Sequence, residues 1–77
     1  MKLLEPCSIC DADWNHEDDL IDTLYPSKRD IKTGEFTEWN VVCQLHNGGC
    51  GRTVYGESKD AVISRWNRGL TDEIMEW

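Results

Sequence analysis

The sequence predicts a small α+β zinc ribbon: two metal knuckles bridged by a β-hairpin, three short antiparallel strands and one C-terminal helix. Three observations carry that expectation. The four cysteines fall into two short pairs, Cys7-Ser8-Ile9-Cys10 and Cys43 to Cys50 with Gly51 behind it. The 32 residues between Cys10 and Cys43 are too many for an unstructured loop in a compact domain, so a hairpin must bring the pairs together. The stretch from Ser58 to Gly69 has the caps and apolar spacing of a helix.

Each element follows from local residue chemistry. Met1 to Pro6 is a short extended lead, with Leu3 or Leu4 turned inward. Asp11 to Asp22 is acidic, with six carboxylates in twelve residues. Leu20 to Tyr25 reads as a strand from its β-branched and aromatic content, ended by Pro26, with Lys28-Arg29-Asp30 as a polar loop. Lys32-Thr33-Gly34-Glu35 is a turn. Phe36 to Val42 is a second strand that delivers Cys43, and Arg52 to Tyr55 is a third, closed by Gly56.

Ser58 is the expected N-cap of the helix and Asp60 complements its dipole. Ala61, Val62 and Trp66 share one face, Ile63 flanks it, and Gly69 suits the C-cap. The chain reads as one domain over 1–77, with its core at about 5–69 and a tail at 70–77 that frays or adds a short turn. Ile74, Met75 and Trp77 give that tail an apolar end suited to a core edge or a dimer seam.

Seventy-seven residues bury too little surface for easy stability, and domains of this size need a staple. Zinc is the favoured one. Thiolate sites select it, and a closed set of four protein ligands marks a structural site rather than a catalytic one. Disulfides and iron in the same thiolate site are the alternatives. The ligand set is Cys7, Cys10, Cys43 and Cys50, with Asn47-Gly48-Gly49 folding the long second spacer back. His46 is the weaker candidate ligand, through its C-x₂-H spacing from Cys43. His16 reads as solvated.

Fifteen acids against eight bases leave a net charge of −7, to which metal-bound thiolates would add. That balance favours protein partners over nucleic acid, whose binders show a basic footprint. The candidate contact is acidic: Asp11, Asp13, Glu17, Asp18, Asp19 and Asp22, with Trp39 beside them. The rival is a nucleic-acid-binding ribbon with a basic patch of Lys28, Arg29, Arg52, Arg65 and Arg68 and an exposed Trp39. A self-associating module with an Ile74–Trp77 seam is a third reading. No Ser/His/Asp set or phosphate-cradling glycine pattern stands out, so the chain reads as a non-enzyme. No apolar run is long enough to span a bilayer and no leader is visible, so a cytoplasmic location is expected.

Pro6-Cys7-x-x-Cys10, the Cys50-Gly51 step, Ser58, Ala61 and the Trp66-Asn67-Arg68 ending resemble the Lar-like restriction alleviation family, small zinc-ribbon proteins of phages and prophages. Tyr25-Pro26-x-x-Arg29, Trp39-Asn40-Val41-Val42-Cys43 and Gly48-Gly49-Cys50-Gly51 are similar to a subgroup with a longer hairpin. Asp11 stands where the family often has glycine. The resemblance implies one structural zinc ion, a host protein as partner, and relief of host type I restriction through the restriction–modification complex in the host cytoplasm.

Overall fold

The computed structural model describes residues 3–75, apart from the side chains of Glu17 and His46. Helix α1 spans Glu17–Thr23 and runs directly into strand β1, Leu24–Arg29. Strand β2 is Phe36–Val42, a 3₁₀ turn covers Leu45–Asn47, and β3 is Arg52–Gly56. Helix α2 is Lys59–Asn67 and β4 is Glu73–Ile74. The strands form one antiparallel sheet in the order β1-β2-β3-β4.

Two expectations are corrected. Residues 20–23 are helical, so the strand expected over Leu20–Tyr25 begins only at Leu24. The His16 side chain accepts the Asp18 N–H at 3.4 Å, and Asp18 and Asp19 lie in the first turn, where carboxylates suit the helix dipole. From the second knuckle, Gln44 Nε2 donates to the Asp19 carbonyl at 2.9 Å and to Thr23 Oγ1 at 2.7 Å. These contacts outweigh the β propensity of Ile21, which stays 69% exposed. Pro26 does not end β1, because an edge strand tolerates a missing N–H.

The second correction is the strand count, which is four and not three. The tail folds back, so that Ile74 pairs with Arg52 and Glu73 with Thr53. Gly51 permits this closure. Its φ is +86°, and a side chain there would run into the Met75 backbone. The expected role of Trp77 lies outside the described residues.

Leu24, Val41 and Val54 pair across three strands and face Val62 and Trp66 of α2. Gly56 lets α2 approach, since a Cβ there would come within 2.6 Å of the Val62 nitrogen. Ser58 Oγ caps α2 by accepting the Ala61 N–H at 3.1 Å. Gly69, at φ +82°, ends the helix, its N–H donating to Trp66 while that of Leu70 reaches Arg65. Trp66 Nε1 donates to the Glu5 carbonyl, and Asn67 Oδ1 accepts the Glu5 N–H, both at 2.8 Å. Trp66-Asn67 thus clasps the lead just before the first knuckle, and Leu4, not Leu3, is the buried leucine of that lead.

Arg52 is fully buried and takes no part in a surface patch. Its guanidinium carbon lies 3.9 Å from the Trp66 ring centroid. Nη2 donates to the Trp66 carbonyl at 3.0 Å and to the Leu70 carbonyl at 2.6 Å, while Nε reaches Thr71 Oγ1 at 3.1 Å. The cation therefore satisfies carbonyls at the negative end of α2 and fastens the tail. Arg65 extends the same seam through an ion pair with Asp72 at 2.8 Å.

Arg52→Lys keeps the charge but not the planar fork, and should cost about 2–3 kcal/mol in urea unfolding of the metal-loaded chain. A loss under about 0.5 kcal/mol would refute this role. A pH effect is expected at Tyr55, whose hydroxyl donates to Glu73 Oε2 at 2.6 Å. That bond, then burial, then the charges of Glu73 and Glu38 raise the phenol to about 12. Because the folded value is raised, the contribution is complete below the ordinary value near 10 and is lost as pH rises through about 12. Ultraviolet titration should show Glu73→Gln bringing that ionisation down.

Candidate metal centre

The two knuckles are built alike despite their unequal spacers. In the first, the Asp11 N–H donates to the Cys7 carbonyl at 2.8 Å and the Cys7 N–H to the Ala12 carbonyl at 2.9 Å. In the second, the Gly51 N–H donates to the Cys43 carbonyl at 3.1 Å and the Cys43 N–H to the Arg52 carbonyl at 2.8 Å. The residue after the last cysteine is left-handed in both, with φ +65° at Asp11 and +86° at Gly51. Aspartate is among the few non-glycine residues that visit this region, so Asp11 can close the first knuckle as Gly51 closes the second.

The long second spacer is an insertion within the same closure. The 3₁₀ turn Leu45–Asn47 and left-handed Gly48 return the chain, and the Gly49 N–H donates to the Gln44 carbonyl at 2.6 Å. A Cβ on Gly49 would lie 2.7 Å from Cys43 Sγ, so only glycine lets the loop pass the sulfur.

The four Sγ atoms lie within 4.8 Å of one another. Cys7 and Cys50 are 3.6 Å apart and Cys10 and Cys43 are 3.5 Å apart, and all four cysteines are free. Four sulfurs held about 2.3 Å from one ion at tetrahedral angles sit about 3.8 Å from each other. The arrangement fits one metal ion, and its separations are far from the roughly 2.05 Å of a disulfide. The side chain of His46 lies outside the described residues.

Cys43 is fully buried and central to the group. It accepts the Trp14 indole N–H and the Cys50 N–H, each at 3.3 Å. Burial pushes its thiol up to about 12 against these donors, and burial raises Cys50 as well. At Cys7 burial also pushes upward, but the backbone N–H groups of Cys10 and Ile9 and the neighbouring sulfurs outweigh it, leaving the thiol lowered to about 7. The Cys7 thiol is thus the more easily ionised, while a bound cation must draw protons from Cys43 and Cys50 against their burial. Metal binding at such a site releases protons. Trp14 is a donor that the cysteine spacing did not reveal, and its only signal was an aromatic close behind the first knuckle.

The acidic residues do not converge. Asp11 and Asp13 sit in the loop after the first knuckle, and Asp13 Oδ1 accepts from the backbone and the side chain of Asn15. Asp18, Asp19 and Asp22 belong to α1, and the side chain of Glu17 lies outside the described residues. His16 is exposed, as expected. Trp39 is half-buried and stacks edge-on with Phe36, with ring centroids 5.8 Å apart. Of the expected basic patch, Arg52 is interior and Arg65 is paired. None of the described helices is long and apolar enough to cross a membrane. No family model matches the chain, and neither a curated protein nor a solved structure does.

Binding energies of structural thiolate sites, about 10–16 kcal/mol, exceed the stability of a domain this small. Native mass spectrometry should therefore find one metal ion per chain, and chelation should abolish the far-ultraviolet dichroism. Replacing Cys7, Cys10, Cys43 or Cys50 by Ser should have the same effect. A tolerated Cys50→Ser beside an intolerant His46→Ala would reassign the fourth ligand.

Proposed function

We infer that the chain is a phage or prophage accessory protein whose one structural Zn²⁺ supports a surface that binds a host protein, with the type I restriction–modification complex as the leading partner. The observation that carries this reading is the set of four sulfurs within 4.8 Å of one another. Four thiolates complete a tetrahedral shell and leave no position for an activated water, so the metal serves the fold and the surface serves the function. The partner's identity comes from the resemblance of the cysteine pairs and the Trp66-Asn67-Arg68 ending to the restriction alleviation family.

The charge distribution supports a protein partner over nucleic acid. Burying Arg52 and pairing Arg65 with Asp72 removes two of the four arginines from an outward-facing array. Lys28 is also engaged, 3.7 Å from Glu38. Asp18 and Asp22, one turn apart on α1, are both exposed and available to a basic groove.

The test is binding of the zinc-loaded chain to a purified type I restriction–modification complex at two salt concentrations. Affinity should fall about tenfold or more as the screening length shrinks from about 10 Å to about 3 Å. Neutralising Asp18, Asp19 and Asp22 together should remove most of that dependence. Equal binding under all these conditions would rule out the acidic contact. A gel shift with DNA or RNA at low salt would favour the nucleic-acid reading instead.

A further inference from the structure

The turn between β1 and β2 holds an apolar side chain out in solvent. Ile31 is 98% exposed, more than any other large hydrophobic among the described residues. The turn itself is well braced. The Gly34 N–H donates to the Asp30 carbonyl, the Lys32 N–H to Asp30 Oδ1 and the Asp30 N–H to the Glu35 carbonyl, each at 2.8 Å. A loop already held in shape loses little entropy on docking. Three of the eight bases of the chain, Lys28, Arg29 and Lys32, flank Ile31. Lys28 lies 3.7 Å from Glu38, while Arg29 and Lys32 make no ion pair among the described residues.

A cleft of matching character lies at the other end of β1. It measures about 260 Å³ and is lined by Leu20 and Ile21 of α1, Leu24 of β1, Trp39 of β2 and Lys59 of α2. Ile21 is 69% exposed, Trp39 is half-buried, and the exposed Phe36 ring packs on Trp39. The cleft is smaller than most small-molecule sites and has the size for one bulky side chain. Asp18 lies three residues before Ile21 and four before Asp22, so it neighbours both on the helix surface. Both carboxylates are exposed.

The order of the elements relates the two features. β1 is an edge of the sheet, α1 runs straight into its start at Leu24, and the turn follows its end at Arg29. Two copies laid antiparallel along this edge bring the turn of each to the α1 end of the other, twice over, about a two-fold axis. Chains of net charge −7 repel overall, so a contact between them must join unlike patches, as this one does. Pro26 and the register shifts on either side of Lys28 blunt the backbone of β1, which leaves its two ends to carry the contact.

We propose that the chain forms a two-fold dimer along β1, in which Ile31 of each copy enters the Leu20–Ile21–Leu24–Trp39 cleft of the other while Arg29 and Lys32 face Asp18 and Asp22. A second copy is the favoured occupant because the chain itself carries both the apolar residue and the bases beside it. The inference goes beyond host binding and bears on it. The same carboxylates are offered to a host protein, so the dimer has to open for that contact to form.

The test is sedimentation equilibrium of the full zinc-loaded chain, with far-ultraviolet dichroism verifying that each variant keeps its fold. The interface is at the small end of specific contacts, so a dissociation constant on the order of 10–100 μM is expected. Ile31→Ser should weaken the dimer about tenfold or more, and its exposure makes the change harmless to the fold. Arg29→Glu with Lys32→Glu should leave the chain monomeric, and so should Asp18→Lys with Asp22→Lys. An equimolar mixture of these two double variants should associate about tenfold more tightly than either alone, because unlike charges meet again at both ends.

A parent chain that stays monomeric up to about 1 mM would overturn the dimer and leave host binding through the acidic stretch standing. A dimer indifferent to Ile31→Ser, or a mixture no tighter than its components, would put the seam elsewhere and overturn it equally. If Ile31→Ser leaves the sedimentation unchanged yet weakens binding to the purified restriction–modification complex, the occupant is the host protein and the second copy is ruled out.

Discussion

Everything in this molecule depends on bringing two knuckles, 32 residues apart in the chain, to within one ion's reach. Backbone hydrogen bonds close each knuckle before any metal enters the account, and the same pair of bonds recurs in both. The hairpin of β1 and β2 spans the gap and ends at Val42, so Cys43 leaves the sheet already aimed at Cys10. The sheet in turn supplies the floor on which α2 lies. A cluster of sulfurs at the end of a small sheet compensates for a core of only a few large side chains.

The chain ends are recruited to the same purpose. Trp66 and Asn67 hold the lead that presents Cys7, and Arg52, immediately after the second knuckle, holds the segment that becomes β4. These are polar and aromatic contacts rather than further hydrophobic burial. In a domain with so little interior, a cation stacked on an indole and bonded to helix carbonyls joins the helix, the sheet and the tail at once.

The cysteine spacing, the capped helix with Ser58 and Gly69, and the Phe36–Val42 strand were legible because each rests on local chemistry: ligand reach, cap geometry and alternation. What escaped was set by tertiary partners. Residues 20–23 look like a strand until Gln44, twenty-odd positions away, hydrogen-bonds to Asp19 and Thr23 and favours the helix. Arg52 looks like a surface base because no pattern in the sequence announces that Trp66 will roof it. The two-residue β4 is too short to carry a periodic signal.

Gly51 joins two subsystems. Its N–H closes the second knuckle on Cys43, and its carbonyl accepts the N–H of Met75 at 2.8 Å, so one peptide unit faces both the sulfur cluster and the end of the fourth strand. The sulfur cluster and the closing strand of the sheet therefore share a single hinge point, and a change in the backbone at Gly51 would be felt on both sides of it.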